Sequence, residues 1–150
     1  MKRLVLSVAL VLSAALPSAA MACSAHAGAQ QAAAPSPKPE LKTVSINELA
    51  LLTEAKQAQP IDANNAETRA KFGVIPGATL LTSVNSFDPA KELPSAKGSK
   101  LVFYCASLKC NASHQAAQRA LEAGYTDVSV LPDGIKGWKE AGQRTVLPRS

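Results

Sequence analysis

The sequence predicts an α/β fold in which a parallel sheet of about five short strands is flanked by helices. Two observations lead to this prediction. Short apolar runs alternate with segments whose apolar residues recur at helical spacing, and strands that alternate with helices favour a parallel sheet covered on both faces. One run, residues 101–104, is apolar at every position, which is typical of a central strand buried on both sides.

The predicted elements alternate over residues 41–150, which have the length of one compact domain. Strands are predicted at residues 43–44, 61–63, 79–81, 101–104 and 128–131. Helices are predicted at residues 46–56, 66–71, 112–124 and 134–141. The segment at residues 82–100 carries two prolines and little pattern, so it is predicted to be a long connection.

Local signals mark several of these boundaries. Ser45 and Glu48 have the spacing of a capping box, in which the hydroxyl bonds the backbone N–H near Glu48 and the carboxylate reaches back. Gly73 ends the second helix, and a Pro-Gly turn then leads into the third strand. Trp138, which follows a glycine turn, is predicted to anchor the core.

The first 22 residues have the three-part layout of a secretory signal peptide. Lys2 and Arg3 form a basic head, residues 4–16 are apolar apart from two serines, and small residues precede position 23. The apolar run is too short for a comfortable membrane span. The protein is therefore expected to be exported, to the periplasm or the cell envelope.

Cleavage after residues 1–22 would place Cys23 at the mature N-terminus. This start is similar to that of a bacterial lipoprotein, whose first cysteine is acylated, although Ala20 stands where Leu is usual. A soluble mature chain without lipid is the preferred interpretation. The odd count of three cysteines favours acylation, because lipid on Cys23 would leave Cys105 and Cys110 as a pair. Membrane contact is expected only through that lipid.

Residues 23–40 are rich in Ala, Gln, Gly and Pro and are expected to form a flexible to semi-extended tether.

Composition excludes several classes of function. The net charge of +5 falls to +3 when the two cations of the signal peptide are removed, and the remaining cations are scattered, so no nucleic-acid surface is expected. No metal or cofactor is expected, because two cysteines and two distant histidines do not form a recognisable zinc spacing.

The candidate reactive residues lie where the predicted strand at residues 101–104 ends, at Cys105. A second cysteine, Cys110, follows within a short connection, and a helix begins near Ala112. A cysteine between a strand and a helix N-terminus lies near converging N–H groups and the positive end of the helix dipole, which favours the nucleophilic thiolate. The alternative is a buried structural cysteine.

Three stretches carry a resemblance to a known family. They are Ile61-Asp62-Ala63-Asn64 with Gly73-Val74-Ile75-Pro76-Gly77-Ala78, Tyr104-Cys105 with Gly124-Tyr125-Thr126-Asp127-Val128, and Leu131-Pro132-Asp133-Gly134-Ile135-Lys136-Gly137-Trp138 with Ala141-Gly142. In this order they resemble the rhodanese-like sulfurtransferase domain, over roughly residues 41–147. The resemblance implies a rhodanese-like three-layer domain.

The resemblance also implies an activity. In that family a cysteine takes a sulfane sulfur from a donor such as thiosulfate and carries it as a persulfide to a thiol acceptor, either a small molecule or a protein. Cys105 would be that nucleophile, with Asp62 and Asn64 supporting its loop. The implied substrate-binding loop consists of Ala106, Ser107, Leu108, Lys109, Cys110 and Asn111.

The loop departs from the common family pattern Cys-x-x-Gly-x-Arg-Ser. Leu108 stands for the Gly, Cys110 for the Arg and Asn111 for the Ser, and Asn64 replaces a second family Arg. Losing the loop Arg removes a bidentate anion clamp. A charged hydrogen bond contributes roughly 1.5–3 kcal/mol, so dianionic thiosulfate is expected to bind roughly ten- to a hundredfold worse.

Cys110 opens a second hypothesis. It would be a resolving thiol that attacks a persulfide or sulfenate on Cys105 and forms a disulfide, which would make the protein a thiol–disulfide or sulfur-relay protein. A third hypothesis is a non-catalytic rhodanese-like module that binds a partner. A cysteine phosphatase is disfavoured, because that chemistry needs an Arg six positions after the cysteine and Asn111 is there.

Overall fold

A computed structural model describes residues 41–148 of the protein. The predicted signal peptide, the tether and Cys23 lie outside the described residues. Within residues 41–148, none of the helices is long and apolar enough to cross a membrane.

Five short strands form one parallel sheet. They are β1 (Lys42–Thr43), β2 (Gln59–Asp62), β3 (Thr79–Leu80), β4 (Leu101–Tyr104) and β5 (Val128–Leu131). Their order across the sheet is β1-β5-β4-β2-β3, and every neighbouring pair is parallel. The predicted α/β fold with a parallel sheet is confirmed. Because all strands run the same way, the segments that follow them meet at one edge of the sheet.

Helices follow the strands in alternation. They are α1 (Ile46–Glu54), α2 (Ala66–Phe72), α3 (Pro89–Glu92), α4 (Ala112–Glu122) and α5 (Gly134–Glu140). The hydroxyl of Ser45 accepts a hydrogen bond from the N–H of Glu48 at 3.2 Å, the first half of the predicted capping box. A side-chain cap therefore marks where α1 begins, as the sequence predicted, and α2 and α3 have side-chain caps as well.

Helix α3 corrects the prediction that residues 82–100 are only a connection. Asp88 caps this single turn, since its Oδ1 accepts from the N–H of Ala90 at 3.0 Å, and Pro89 occupies the first helical position. One turn of four residues is too short to show a helical period, so the apolar pattern could not reveal it.

Two apolar clusters lie on opposite faces of the sheet. From β4, Leu101 and Phe103 belong to one cluster, and Val102 and Tyr104 belong to the other. Helix α4 covers the first face, whereas α1 and α5 cover the second. This division explains why every position of β4 is apolar. The strand is central and buried on both faces, as predicted.

Two contacts fix the end of the domain. Trp138 of α5 is buried, and its indole Nε1 donates to the carbonyl of Arg144 at 2.9 Å, which confirms its predicted place in the core. Val146 then pairs with Val74 in an antiparallel bridge. Gly73, just before that bridge, has a φ of 77°, and a Cβ there would lie 2.9 Å from the carbonyl oxygen of Val146. A glycine is therefore required both by conformation and by space.

Candidate active site

Cys105 lies directly after β4, at the edge of the sheet where the strands end. It is only 1% exposed and belongs to the apolar cluster that packs against α4. The next segment, residues 105–111, which we call the cysteine loop, connects β4 to α4. Cys105 and Cys110 are both free thiols.

The Sγ of Cys105 has two close polar partners. It lies 3.0 Å from the carbonyl oxygen of Cys110, to which the thiol donates, and 3.3 Å from the Oγ of Ser113, which donates to the sulfur. The loop thus turns a carbonyl toward Cys105, whereas a thiolate would be stabilised by N–H groups. The neutral thiol is the form that this arrangement favours.

Burial raises the pKa of Cys105, and the adjacent Cys110 thiol raises it further. The hydroxyl and the backbone N–H of Ser113 act in the opposite direction without reversing the shift. The sequence-based expectation that the strand end and the helix N-terminus favour the Cys105 thiolate is therefore wrong. Desolvation of the charged form outweighs the few donors that reach the sulfur.

Cys110 has the opposite shift. Its partial burial would raise its pKa, but the Cys105 thiol and the backbone N–H groups of Ala106 and Ala112 together lower it below the usual value. Cys110 is also less buried than Cys105. Of the two thiols, the one that is more accessible is therefore also the more acidic.

The start of α5 holds the cysteine loop in place. The N–H of Ile135 donates to the carbonyl of Cys105 at 2.8 Å, and the N–H of Lys136 donates to the carbonyl of Ala106 at 3.1 Å. This approach depends on Gly134, whose φ is 62°. A Cβ there would lie 2.7 Å from the N atom of Ser107 and would also collide with the carbonyl oxygen of Cys105.

The other predicted loop residues differ in exposure. Ala106 and Ser107 are half-buried, whereas Leu108, Lys109 and Asn111 are exposed, Leu108 by 75%. The Lys109 side chain is a solvated cation at the rim of the loop. Asn111 occupies the N-cap position of α4 but makes no side-chain capping bond.

Asp62 and Asn64 lie at the end of β2, next to the cysteine loop. Asp62 is fully buried, and its Oδ1 accepts from the N–H of Asn64 at 2.7 Å and from the Nε of Arg69 at 3.0 Å. The same guanidinium donates to the carbonyls of Asp62 and Leu81. Arg69 therefore provides the cation beside Asp62 from α2, at a position that sequence reasoning missed.

Ser113 is a second residue that sequence reasoning missed. It is 1% exposed and lies on the face of α4 that also buries Ala116, Ala117 and Ala120. A serine in register with a buried helix face, in the first turn after the loop, was a signal that could have identified it.

A cavity of about 390 Å³ opens beside the cysteine loop. Its lining is made by Ala63, Asn64, Asn65, Thr68, Thr82, Ser83, Val84, Ala106, Cys110 and Ala112. Asn64 is one of these lining residues, and its buried Nδ2 has no hydrogen-bond partner among residues 41–148. Cys110 lines the cavity, whereas Cys105 does not. Over residues 41–148, His, Cys, Asp and Glu side chains nowhere form a group of three suited to a metal ion.

Comparisons with known proteins agree with this architecture. The family model described as rhodanese-like domain matches residues 45–141. The chain resembles the human single-domain sulfurtransferase TSTD1 with 29% identity and a TM-score of 0.55, over 67% of this chain and 97% of that one. No curated protein matches the chain in sequence.

More distant structures share the fold. A rhodanese-related protein from Thermoplasma volcanium has 21% identity and a TM-score of 0.56, over 71% of this chain and 99% of that chain. The rhodanese-like domain of the Alr3790 protein from Anabaena sp. has 22% identity and a TM-score of 0.59, over 71% of this chain and 80% of that chain. At these identities the likeness shows the fold alone.

Proposed function

The chain belongs to the rhodanese-like domain family, and on that premise we propose that it is a sulfurtransferase or persulfide carrier. Cys105 accepts a sulfane sulfur from a thiosulfate-like donor and passes it to a thiol acceptor. The similarity to the human single-domain sulfurtransferase supports this class of activity. The observation that carries the proposal is the position of Cys105, at the end of the central strand with the Ser113 hydroxyl 3.3 Å from its sulfur.

The proposed reaction proceeds in two substitutions at sulfur. The Cys105 thiolate attacks the outer sulfur of thiosulfate. A bond forms between Sγ and that sulfur, the bond to the sulfonate sulfur breaks, and sulfite leaves with the electron pair. An acceptor thiolate then attacks the outer sulfur of the persulfide, and Cys105 leaves as a thiolate. No net oxidant or reductant is needed.

The charges around the loop argue for slow loading from thiosulfate. Lys109 is exposed, and the guanidinium of Arg69 is already bound to Asp62 and to two carbonyls. A dianion at Cys105 therefore meets neither of these two cations in a position to bind it. A donor with a smaller charge should load the protein faster than thiosulfate does.

A second candidate function is favoured by the contact between the two cysteines. The Cys105 sulfur lies 3.0 Å from the Cys110 carbonyl oxygen, and the two thiols perturb each other's pKa. Cys110 attack on a sulfenate or persulfide at Cys105 would expel hydroxide or hydrosulfide and form a disulfide, which a dithiol reductant would reopen. The protein would then act in thiol–disulfide exchange.

The test is intact mass and peptide mapping of the reduced protein before and after thiosulfate. Trypsin cleaves after Lys100, Lys109 and Arg119, so the two thiols fall on separate peptides, residues 101–109 and 110–119. Free thiols and persulfides are alkylated first to stop exchange. Cys110→Ser is the matched control for Cys105→Ser.

Each outcome selects one function. One added sulfur that requires Cys105 supports the sulfurtransferase. Loss of two hydrogens with the two peptides linked, and no added sulfur, favours thiol–disulfide exchange. Two unmodified thiols with every donor tried would refute both and leave a binding module that uses the fold without its chemistry.

Export is part of the proposal and has its own measurement. The intact mass of protein recovered from the cell envelope of an expressing host should start at Cys23, with or without the mass of lipid. Recovery of the full chain from Met1 would contradict it.

A further inference from the structure

The cavity beside the cysteine loop is formed where three segments follow their strands. Ala63, Asn64 and Asn65 follow β2, Thr82, Ser83 and Val84 follow β3, and Ala106, Cys110 and Ala112 follow β4. Its volume of about 390 Å³ is sufficient for a small organic ligand. The edge where parallel strands end is also where ligands bind in open α/β sheets.

The lining of the cavity is polar but uncharged. Hydroxyl and carboxamide groups alternate with alanine, valine and one thiol, and none of the ten lining residues is Lys, Arg, Asp or Glu. An anionic ligand would lose its hydration there without gaining a counter-charge. The lining therefore favours an uncharged ligand that both donates and accepts hydrogen bonds.

Asn64 indicates which polar group that ligand carries. It is 8% exposed, it lines the cavity, and its buried Nδ2 has no hydrogen-bond partner within residues 41–148. A buried donor without an acceptor is unfavourable, so a ligand with a carbonyl oxygen would satisfy it on binding. An amide supplies that oxygen without adding charge.

Cys110 connects the cavity to Cys105. Cys110 lines the cavity and is partly exposed, whereas Cys105 is 1% exposed and its sulfur contacts the Cys110 carbonyl. Cys110 therefore contacts the Cys105 sulfur through its carbonyl and also lines the cavity. Of the two cysteines, it is the one placed between a sulfur atom carried on Cys105 and a ligand in the cavity.

We propose that this cavity binds an uncharged, amide-bearing thiol as the sulfur acceptor, and that Cys110 relays the sulfane sulfur from Cys105 to it. This inference builds on the proposed function, because it requires sulfur to be loaded on Cys105 first. Asn64 positions the acceptor through its amide carbonyl.

The relay is balanced and needs no external oxidant. The Cys110 thiolate attacks the outer sulfur of the Cys105 persulfide. A bond forms from Cys110 to that sulfur, the bond to Cys105 breaks, and Cys105 leaves as a thiolate that takes up a proton. The acceptor thiolate then attacks the same outer sulfur, and Cys110 leaves with the electron pair. The lowered pKa of Cys110 makes its thiolate available for the first step and makes it the better leaving group in the second, whereas the raised pKa of Cys105 makes it the poorer leaving group and so slows the first step.

The test is single-turnover transfer from persulfide-loaded protein to two uncharged thiols. N-acetylcysteamine carries an amide carbonyl, and ethanethiol carries no oxygen that could accept a hydrogen bond. Asn64→Leu should slow transfer to N-acetylcysteamine about tenfold, the effect of losing one buried hydrogen bond, and should leave transfer to ethanethiol unchanged. Asn47→Leu, the same change at an exposed position of α1, should leave both rates unchanged.

The role of Cys110 is tested separately. Cys110→Ser, once loaded with sulfur on Cys105, should transfer it to N-acetylcysteamine at least tenfold more slowly than the loaded wild-type protein, which should carry sulfur on both tryptic peptides. Loading followed by wild-type transfer rates in Cys110→Ser would overturn the relay and leave the proposed function intact. Failure of the wild type to load would instead refute the proposed function.

The role of Asn64 has its own contrary results. If Asn64→Leu slowed transfer to both acceptors equally, or slowed transfer to neither, the assignment of the cavity would be overturned. Where Asn64→Leu fails to fold, as judged by circular dichroism, Asn64→Ala carries the same prediction, because it removes the donor without adding a charge.

Discussion

The hydroxyl of Ser113 donates a hydrogen bond to the sulfur of Cys105, with 3.3 Å between Oγ and Sγ. It is the side-chain contact that most lowers the pKa of a thiol otherwise raised by burial. Ser113→Ala should therefore raise the pKa of Cys105 further and slow sulfur loading near neutral pH by roughly three- to tenfold. The measurement is the loading rate against pH, whose rise should move to higher pH. Ser107→Ala, which leaves the Ser113 hydroxyl in place, should keep the wild-type profile.

Alkylation should reach Cys110 before Cys105. Because its pKa is lowered, Cys110 forms a thiolate at lower pH than an ordinary cysteine, whereas Cys105, whose pKa is raised, forms one only at higher pH. Cys105 is also the more buried of the two thiols. A short exposure to iodoacetamide near neutral pH should label peptide 110–119, and label on peptide 101–109 should appear only as the pH rises. Labelling of peptide 101–109 first would contradict the assigned order of acidity.

The pair between Asp62 and Arg69 should be important for stability. Arg69→Met would leave Asp62 fully buried without its cation, which costs about 3–5 kcal/mol for comparable buried pairs. Urea denaturation gives the change in the free energy of unfolding. The control is Lys91→Met, which removes an exposed pair with Asp88 and should leave the free energy of unfolding nearly unchanged. Equal effects of the two changes would show that burial does not matter to the Asp62 pair.

Gly134→Ala should both destabilise the domain and displace the cysteine loop. The new Cβ would meet the Ser107 N atom at 2.7 Å, and the φ of 62° is itself unfavourable for alanine. Gly142→Ala is the matched control, because its φ is 76° but no atom lies within 4 Å of the added Cβ. The control should lose about 1–2 kcal/mol of stability, and Gly134→Ala clearly more, with loss of sulfur loading. Similar losses for both would mean that crowding at the loop is absent.

Much of the fold could be predicted because each element depends on local information. The apolar run of β4, the cap at Ser45 and the buried face of α4 are all properties of consecutive residues. Strand positions agree to within two residues at either end, which is the usual uncertainty of such boundaries. Helix α3 was missed because its single turn has no period to detect.

The site could be predicted only in part, because its properties come from distant segments. The position of Cys105 follows from the strand that precedes it. The direction of its pKa shift depends first on its burial, and the loop around it is held by N–H groups of α5, about thirty residues later in the chain. Arg69 reaches Asp62 from another element in the same way. No local pattern encodes these contacts.

The parallel arrangement of the strands also fixes where the start of the domain, at residue 41, lies relative to Cys105. β1 pairs in parallel with β5, and β5 with β4, in a register that sets Lys42 level with Val102 across the sheet. Leu41 is therefore about four residues, or roughly 13 Å along the strand direction, behind the level of Cys105. A linker attached upstream of residue 41, whether to a bead, to a fusion partner or to lipid on Cys23, joins the domain behind its reactive thiols. Attachment at that end therefore leaves the edge of the sheet that carries Cys105 and Cys110 clear of the linker's point of entry.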